Sequence, residues 1–358
     1  MANEATLSHR TIVMVGGPQT DKSTGFTPTH LVATTSFRAE EVHNQILDNG
    51  RRGPHAMDFR AAVGTKLVNI VIEAQVQPDP GTGLGFAVGI FLRNLFGAAN
   101  TEDQIGATTV YNHDFLLPAT PTIEYLTIEE DHQVSGSNDR RFIGCRVQEI
   151  VFSWNAGEGI LSYTVTLTGR EVSLVAATDL SAQVATLEDP LQSWRANVAF
   201  NQTFVHATPA FTKLISAEWT LSRAISVLYT GQASQLPHEI YLGPLACTVA
   251  MVMNYEDDTE LALYRAGTEV AIVNGFAIGS STTLRRFFIA NDKFSLLDAP
   301  VVIDTTGENA TIAIAARGLY SEAASVIIAD AAVTSDANAP TNTGPVQVRL
   351  TDLKSAAY

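Results

Sequence analysis

Residues 11–26, TIVMVGGPQTDKSTGF, have the residue types of a phosphate-binding loop. Such a loop follows a strand and reads Gly, four residues, then Gly-Lys-Ser/Thr, because the second glycine lets backbone N–H groups turn towards a phosphate. Counting from Gly16, that position holds Asp21, which adds a side chain and a negative charge facing the anion. Pro18 removes one N–H donor, and no helical pattern follows Lys22. We therefore interpret the stretch as a polar turn between two extended segments.

The other side chains capable of chemistry do not form a recognisable catalytic or metal-binding pattern. No GxSxG motif is present, and the acidic runs at 129–131 and 256–258 lack the alternating ligands of a calcium loop. Cys145 and Cys247 lie in strand-like runs, where we expect buried, reduced thiols. The histidines show no HExxH, HxH or Cys/His spacing: His9, His30, His43, His55, His113, His132, His206 and His238. We therefore expect no catalytic residue, no metal and no cofactor.

Charge and hydropathy limit the class of partner. The chain of 358 residues has 22 basic and 37 acidic residues, which gives a net charge of −15. Tight binding to nucleic acid depends on neutralising phosphates with Lys and Arg, so this balance argues against a protein that grips DNA or RNA. The apolar stretches are far shorter than a membrane span, and we expect no membrane association.

Five sequence elements recur in the same order in the two halves of the chain. Each half has a strand, a long polar loop, a second strand, a short helix, a third strand and a hairpin. The hairpins turn at a glycine beside an acidic residue, GEG in one half and TGEN in the other. The segments are 31–42, 63–76, 85–97, 122–131 and 145–171 in the first half, and 214–227, 242–255, 257–267, 282–292 and 299–321 in the second.

This repetition predicts a mainly β protein built from two copies of one unit, each a β-sandwich or barrel with a flanking short helix and long hairpin loops. The expected parts are an N-terminal extended segment (1–30), a first β domain (31–175), a linker (176–203), a second β domain (204–333) and a C-terminal arm (334–358).

The predicted hairpin strands alternate between apolar and polar residues, as in ILSYTVTLT at 160–168 and LISAEWTLS at 214–222. A period of two is typical of antiparallel sheets with one packed face and one wetted face. We expect small hydroxyl residues and scattered carboxylates, and no lysine, on the wetted face. The candidate residues are Glu73, Glu149, Ser162, Thr164, Thr166, Glu218, Thr220 and Asp304.

Two segments carry a resemblance to a known family. GCRVQEIVFSWNAGEGILSYTVTLTGRE at 144–171 resembles a hairpin of the tail tube proteins, also called major tail proteins, of long-tailed (siphovirus) phages. LISAEWTLSRAISVLYTG at 214–231, with the glycine-led strand and the DDTELALYRAG helix after it, is similar to the second half of that family. The resemblance covers about residues 31–330 and implies two tandem tail-tube-type β units.

The resemblance also implies a function and an assembly. Hairpins of six units join into the inner barrel of a ring, and rings stack into a hollow tube that conducts DNA during ejection. Because one chain supplies two units, we expect a homotrimeric ring with approximate sixfold symmetry. The implied partners are further copies of the chain, the tape-measure protein, tail terminator or tip proteins, and double-stranded DNA that passes without tight binding. The implied location is the tail tube of the virion, after assembly in the host cytoplasm.

By this interpretation the polar faces of four hairpins line the channel, and the loops at 39–63 and 224–243 reach the neighbouring ring. The hairpins are 31–38/67–76, 145–154/160–169, 214–223/245–255 and 299–304/310–317. Contacts between rings are expected from Arg51, Arg52, His55, Gln232, Gln235 and His238. Arg38 and Arg146 do not fit a channel wall poor in cations, and we expect them to pair with neighbouring acids.

Two alternatives are compatible with the sequence. The first is the tube protein of a phage-derived injection or secretion device, which would share the fold and differ in cargo. The second is a carbohydrate-active β-sandwich enzyme, which needs two carboxylates facing each other across a cleft. The observed alternation does not provide such a pair.

Overall fold

The described part of the chain is mainly antiparallel β-sheet, which confirms the predicted fold class. The computed structural model describes residues 11–48, 60–78, 85–98, 101–105, 108–132, 139–175, 178, 180, 188–202, 211–231, 233–279, 283–303, 310–321 and 344–358. The strands in these residues are β1 (Ile12–Gln19), β2 (His30–Val32), β3 (Thr34–Asp48), β4 (Arg60–Gln75), β5 (Thr101–Gln104), β6 (Tyr111–Phe115), β7 (Tyr125–Asp131), β8 (Asp139–Asn155), β9 (Glu158–Gly169), β10 (Glu171–Val175), β11 (Asn197–Phe200), β12 (Leu214–Leu228), β13 (Glu239–Asn254), β14 (Val270–Ile278), β15 (Arg285–Asp298), β16 (Val301–Ile303), β17 (Ala310–Gly318) and β18 (Gln347–Asp352). The α-helices are α1 (Ala87–Phe96) and α2 (Thr259–Ala266).

Four hairpins lie side by side in one continuous sheet, here called the hairpin sheet. Its strand order is β3–β4–β9–β8–β12–β13–β17–β16, and every neighbouring pair is antiparallel. Residues 149–155 of β8 pair with residues 216–222 of β12, and this pairing joins the first half of the chain to the second. The hairpin sheet is therefore shared by both halves.

A second layer covers one face of the hairpin sheet. It contains the strand series β11–β14–β15–β18–β6–β5 and the series β2–β1–β7–β8–β10, in which β8 takes part with its first residues. The ring centroids of Phe152 on β8 and Phe287 on β15 lie 4.7 Å apart. Those of Trp219 on β12 and Phe294 on β15 lie 5.4 Å apart. The alternate apolar residues of the hairpin strands thus form a core with the second layer and α1.

One buried amide connects the two halves inside this core. Asn274 of β14 is fully buried. With its amide oxygen facing the indoles, it accepts from Trp219 Nε1 at 2.9 Å and from Trp154 Nε1 at 3.3 Å. Trp154 lies on β8 in the first half and Trp219 on β12 in the second. Asn274 therefore satisfies two indole N–H groups that are shielded from water.

Replacing Asn274 with alanine is expected to lower the free energy of unfolding by about 2–4 kcal/mol, because two buried donors lose their acceptor. Asn69→Ala is the matched control, since Asn69 is exposed on β4 and its loss should change stability by no more than about 0.5 kcal/mol. Urea unfolding of the unassembled chain, followed by tryptophan fluorescence, measures both. Equal effects of the two substitutions would contradict the bridging role of Asn274.

The C-terminal segment is part of the second layer. β18 lies between β15 and β6, and all six of its residues are buried. The hydroxyl of Tyr358 accepts from the backbone N–H of Phe86 at 2.5 Å, at the start of α1. A side chain at Gly89 would collide with the Tyr358 ring, so glycine permits this close approach. Residues 344–358 thus pack against their own chain.

The predicted helices are present, whereas two hairpins are longer than predicted. β3 continues to Asp48 and β4 begins at Arg60, inside the loop predicted at 39–63. β12 continues to Leu228 and β13 begins at Glu239, inside the loop predicted at 224–243. Most residues of these extensions are exposed or only partly buried. The alternation of apolar and polar residues that identifies a strand with one buried face is therefore missing from them.

The duplication and the domain boundaries stay predictions. In each half a long hairpin is followed by a short helix, α1 in the first and α2 in the second. Both helices end at a glycine in the left-handed conformation, Gly97 with φ 73° and Gly267 with φ 64°. Both carry an arginine in the last turn, Arg93 and Arg265. These similarities are consistent with two related units.

Both cysteines are free and buried, as the sequence predicts. Burial raises the pKa of the Cys145 thiol to about 12. It also raises the pKa of the Cys247 thiol well above its ordinary value. Because the thiolate is the reactive form, we expect both side chains to be inert packing residues near neutral pH.

Candidate functional site

The uncovered face of the hairpin sheet, here called the polar face, brings together most of the polar residues singled out in the sequence. Across four adjacent strands the register aligns Glu73 with Thr164, Thr164 with Val151, and Val151 with Thr220. Glu73 and Glu218 are exposed, and the others are half-buried. The residues on this face are Glu73, Glu149, Ser162, Thr164, Thr166, Glu218 and Thr220. Asp304 lies outside the described residues.

Hydroxyl groups and small side chains occupy much of this surface. The hydroxyls of Ser153 and Ser162 lie 2.9 Å apart on neighbouring strands. Ala250 of β13 pairs with Glu218 on one side and with Ala315 of β17 on the other. These side chains are short and uncharged, so they give this surface few groups that could hold a charged ligand.

The charge of the polar face is mainly negative. Its carboxylates outnumber its guanidinium groups, and the described part of this face has no lysine. Carboxylates on one surface repel a polyanion, and a surface with few cations binds few of its phosphates. The charged residues of the face are Glu40, Glu73, Glu149, Glu218, Arg38 and Arg317, and Asp298 at the end of β15 pairs with Ala315 of β17 beside them.

Arg38 and Arg146, which did not fit a channel wall poor in cations, lie in different environments. Arg38 is exposed on the polar face, and its Nη2 lies 3.3 Å from Glu40 Oε2, so the predicted pairing with an acid is confirmed. Arg146 is 3% exposed, and its Nη1 donates to the backbone oxygen of Ile240 at 2.8 Å. Among the described residues Arg146 has no ion pair, contrary to the expectation, because burial brings it to a backbone carbonyl instead.

The hairpin sheet has an unpaired edge at each end. Among the described strands, β3 pairs along the sheet only with β4, and β16 only with β17. The hairpin of β3 and β4 also exposes large apolar side chains, with Ile46, Leu47 and Val63 between 53% and 62% exposed. β3 is a long edge strand, β16 has three residues with Val302 exposed, and exposed apolar edges are sites of pairing with another chain. These edges are therefore candidate assembly surfaces.

Two of the residues predicted to contact a neighbouring ring lie in the connection between β12 and β13. Gln235 is exposed, and its backbone oxygen accepts from the N–H of Lys66 at 2.8 Å. The backbone N–H of His238 donates to Leu228 at 2.8 Å. This connection therefore contacts the β3–β4 hairpin of its own chain, which no sequence pattern indicated. Arg51, Arg52, His55 and Gln232 lie outside the described residues.

The stretch that resembled a phosphate loop is a polar turn, as predicted. Asp21 accepts from the backbone N–H of Ser23 at 2.8 Å and from the hydroxyl of Thr24 at 2.5 Å. These hydrogen bonds, that of Thr24 first, lower the pKa of the Asp21 carboxyl below its ordinary value. Lys22 Nζ lies 3.0 Å from Glu239 Oε2, so the lysine is held by a carboxylate of the same chain.

Neither a metal-binding cluster nor a membrane-spanning helix is found among the described residues. Among them, no cluster of three or more His, Cys, Asp or Glu side chains is arranged to hold a metal ion. None of the helices described has the length and hydropathy needed to cross a membrane.

Comparison with known proteins identifies a family over nearly the whole chain. The model of a family described as phage tail tube protein matches residues 17–351. The match covers both halves of the chain, including every strand of the hairpin sheet. No curated protein sequence matches the chain.

Proposed function

The chain belongs to the phage tail tube protein family, and from this premise we propose how it forms the tube. It is a structural protein of a bacteriophage tail tube, located in the tail of the virion. It assembles with copies of itself and with other tail proteins. The proposal concerns the ring, the channel wall and the partners.

In this proposal the hairpin sheet is one third of the inner wall of a ring. Three chains of eight strands each would close a barrel of 24 strands, with approximate sixfold symmetry if the two halves are related units. With strands about 4.8 Å apart and tilted by roughly 40°, such a barrel measures about 45–50 Å between opposite backbones. That width admits a DNA double helix together with the side chains of the wall.

Ring closure would use the two open edges. β3 of one chain would pair with β16 of the next, which covers the unpaired backbone groups that each isolated chain exposes at both ends of its sheet. Because closure of a barrel removes all edges, the same step would end lateral growth and leave stacking as the remaining direction of assembly.

The polar face would then form the wall of the channel. The observation that carries this proposal is the continuity of eight strands with one polar face that is poor in cations and uncovered in the chain. Glu73, Glu149 and Glu218 would repel DNA phosphates, and the hydroxyls would hold a layer of water along the wall. Double-stranded DNA would slide because the wall provides few contacts that retain it.

The remaining surfaces would contact other components of the tail. Gln235, His238 and the tip of the β3–β4 hairpin would meet the next ring, with a tape-measure protein inside the tube and terminator or tip proteins at its ends. The family is structural, and we propose that the chain has no catalytic activity of its own.

End-on images of tubes formed by the purified chain test this arrangement. We expect closed rings with threefold symmetry, a sixfold outline and a central channel, and a mass per ring of three chains by scanning transmission microscopy. A mass of six chains per ring would contradict the trimer and place the second half outside the inner wall. A chain that stays monomeric at high concentration would contradict tube formation by the chain alone.

A further inference from the structure

Beside the polar face lies a cavity of about 860 Å³, here called the arginine pocket. Its described lining contains three arginines, Arg146, Arg223 and Arg317, and no carboxylate. Most of the other lining residues are apolar or aromatic, including Leu117, Ile123 and Tyr241. A concave apolar surface with a few converging cations is the form of a binding site for an anion that carries apolar neighbours.

Two of these arginines are buried without an anionic partner among the described residues. Arg146 is 3% and Arg223 is 4% exposed, yet neither forms an ion pair within the described residues. The Nη2 of Arg223 donates to the backbone oxygen of Phe96 at 3.2 Å, while the Nε atoms of both arginines are buried and have no acceptor. A buried guanidinium group with unused donors is destabilising until an anion compensates it.

The electrostatics of the pair agree with the geometry. Burial lowers the pKa of Arg146 to about 10, against a smaller opposing effect of Glu124. Burial also lowers the pKa of Arg223 to about 10, and the positive charge of Arg146 adds to this. Glu124 is already paired with Arg93, whose Nη2 lies 2.6 Å from Glu124 Oε1. Glu124, the carboxylate that acts on the pKa of Arg146, is therefore engaged by another arginine.

We propose that the arginine pocket binds an aspartate or glutamate side chain of a second copy of this chain, at a contact between protomers of the tube. The inference rests on the proposed function, since it requires that copies assemble. A carboxylate in the pocket would accept from both buried guanidinium groups, and its flanking residues would cover the exposed side chains of Ile123, Tyr241 and Tyr320.

A second copy fits the pocket better than DNA does. The chain has a net charge of −15, so each copy carries many carboxylates that the guanidinium groups of the pocket could bind. Arg146 and Arg223 are almost completely buried, and a single side chain can enter where a phosphate on a wide duplex cannot. The apolar lining also favours a protein segment over a fully hydrated polyanion.

The test compares the double variant R146Q/R223Q with the wild-type chain. We expect the concentration at which half of the protein sediments as rings or tubes to rise at least tenfold. The Tm of the unassembled variant should be unchanged or a few degrees higher, because two uncompensated buried charges are gone. Arg223→Lys keeps the charge and loses the planar guanidinium group. The concentration at which half of this variant sediments should lie between those of the wild type and the double variant. Arg265→Gln, at an exposed position on α2, should assemble as the wild type does.

Three results would overturn the inference. If R146Q/R223Q lowers the Tm of the unassembled chain, the arginines serve their own fold. If the variant assembles at the wild-type concentration, the pocket is not a contact between protomers. If it assembles normally and changes only the small amount of duplex oligonucleotide that co-sediments with tubes at low salt, the pocket serves DNA phosphate. Absence of assembly in the wild type would contradict tube formation by the chain alone, on which the proposed function rests, so the two failures are distinguishable.

Discussion

Tubes of the triple variant Glu73→Lys/Glu149→Lys/Glu218→Lys should retain duplex DNA that wild-type tubes release. Each chain would exchange three carboxylates of the polar face for three ammonium groups, and all three positions are exposed or half-buried, away from the core. Every lysine that neutralises a phosphate adds about −0.9 to the slope of log K against log salt concentration. Binding should therefore be strong near 50 mM salt and weaken steeply by 200 mM.

Co-sedimentation of tubes with a labelled duplex at several salt concentrations measures this effect. The matched control is Glu73→Gln/Glu149→Gln/Glu218→Gln, which removes the repulsion at the same positions without adding a cation. It should bind DNA far less than the lysine variant. If both variants assemble and neither retains DNA better than the wild type, the polar face does not line the channel.

Arg349→Leu is expected to lower the free energy of unfolding of the unassembled chain by about 3–5 kcal/mol, because it removes a guanidinium partner of a buried carboxylate. Arg349 lies on β18 and donates to Asp114 of β6 through Nε at 2.7 Å and Nη2 at 3.1 Å. Both side chains are at most 3% exposed. The pair connects the C-terminal strand to the first half of the chain.

The double variant Asp114→Leu/Arg349→Leu should recover most of that loss, since it removes both members of the pair together. Arg38→Leu provides the matched control, because the Arg38–Glu40 pair is exposed and should contribute no more than about 1 kcal/mol. Urea midpoints of the wild type, Arg349→Leu, the double variant and Arg38→Leu measure these effects. A double variant as unstable as Arg349→Leu would show that lost packing, and not the unpaired charge, causes the effect.

The sequence by itself determined the local features of this protein. Alternation in ILSYTVTLT and LISAEWTLS identified the buried and polar faces correctly, because successive side chains of a strand point to opposite sides whatever its partners are. The apolar period of 85–97 identified α1, and Asp21 in place of glycine excluded the phosphate loop. The resemblance of 144–171 and 214–231 to tail tube proteins identified the family.

Only the tertiary structure decided which segments meet. The pairing of β8 with β12, the insertion of β18 between β15 and β6, and the acceptance of two indole N–H groups by Asn274 each join residues distant in the chain. Strand pairing leaves little trace in one sequence, because any half-buried strand can pair with many others. The arginine pocket has the same origin: Arg146 and Arg223 are unremarkable along the chain and become a site only because folding buries both beside one cavity.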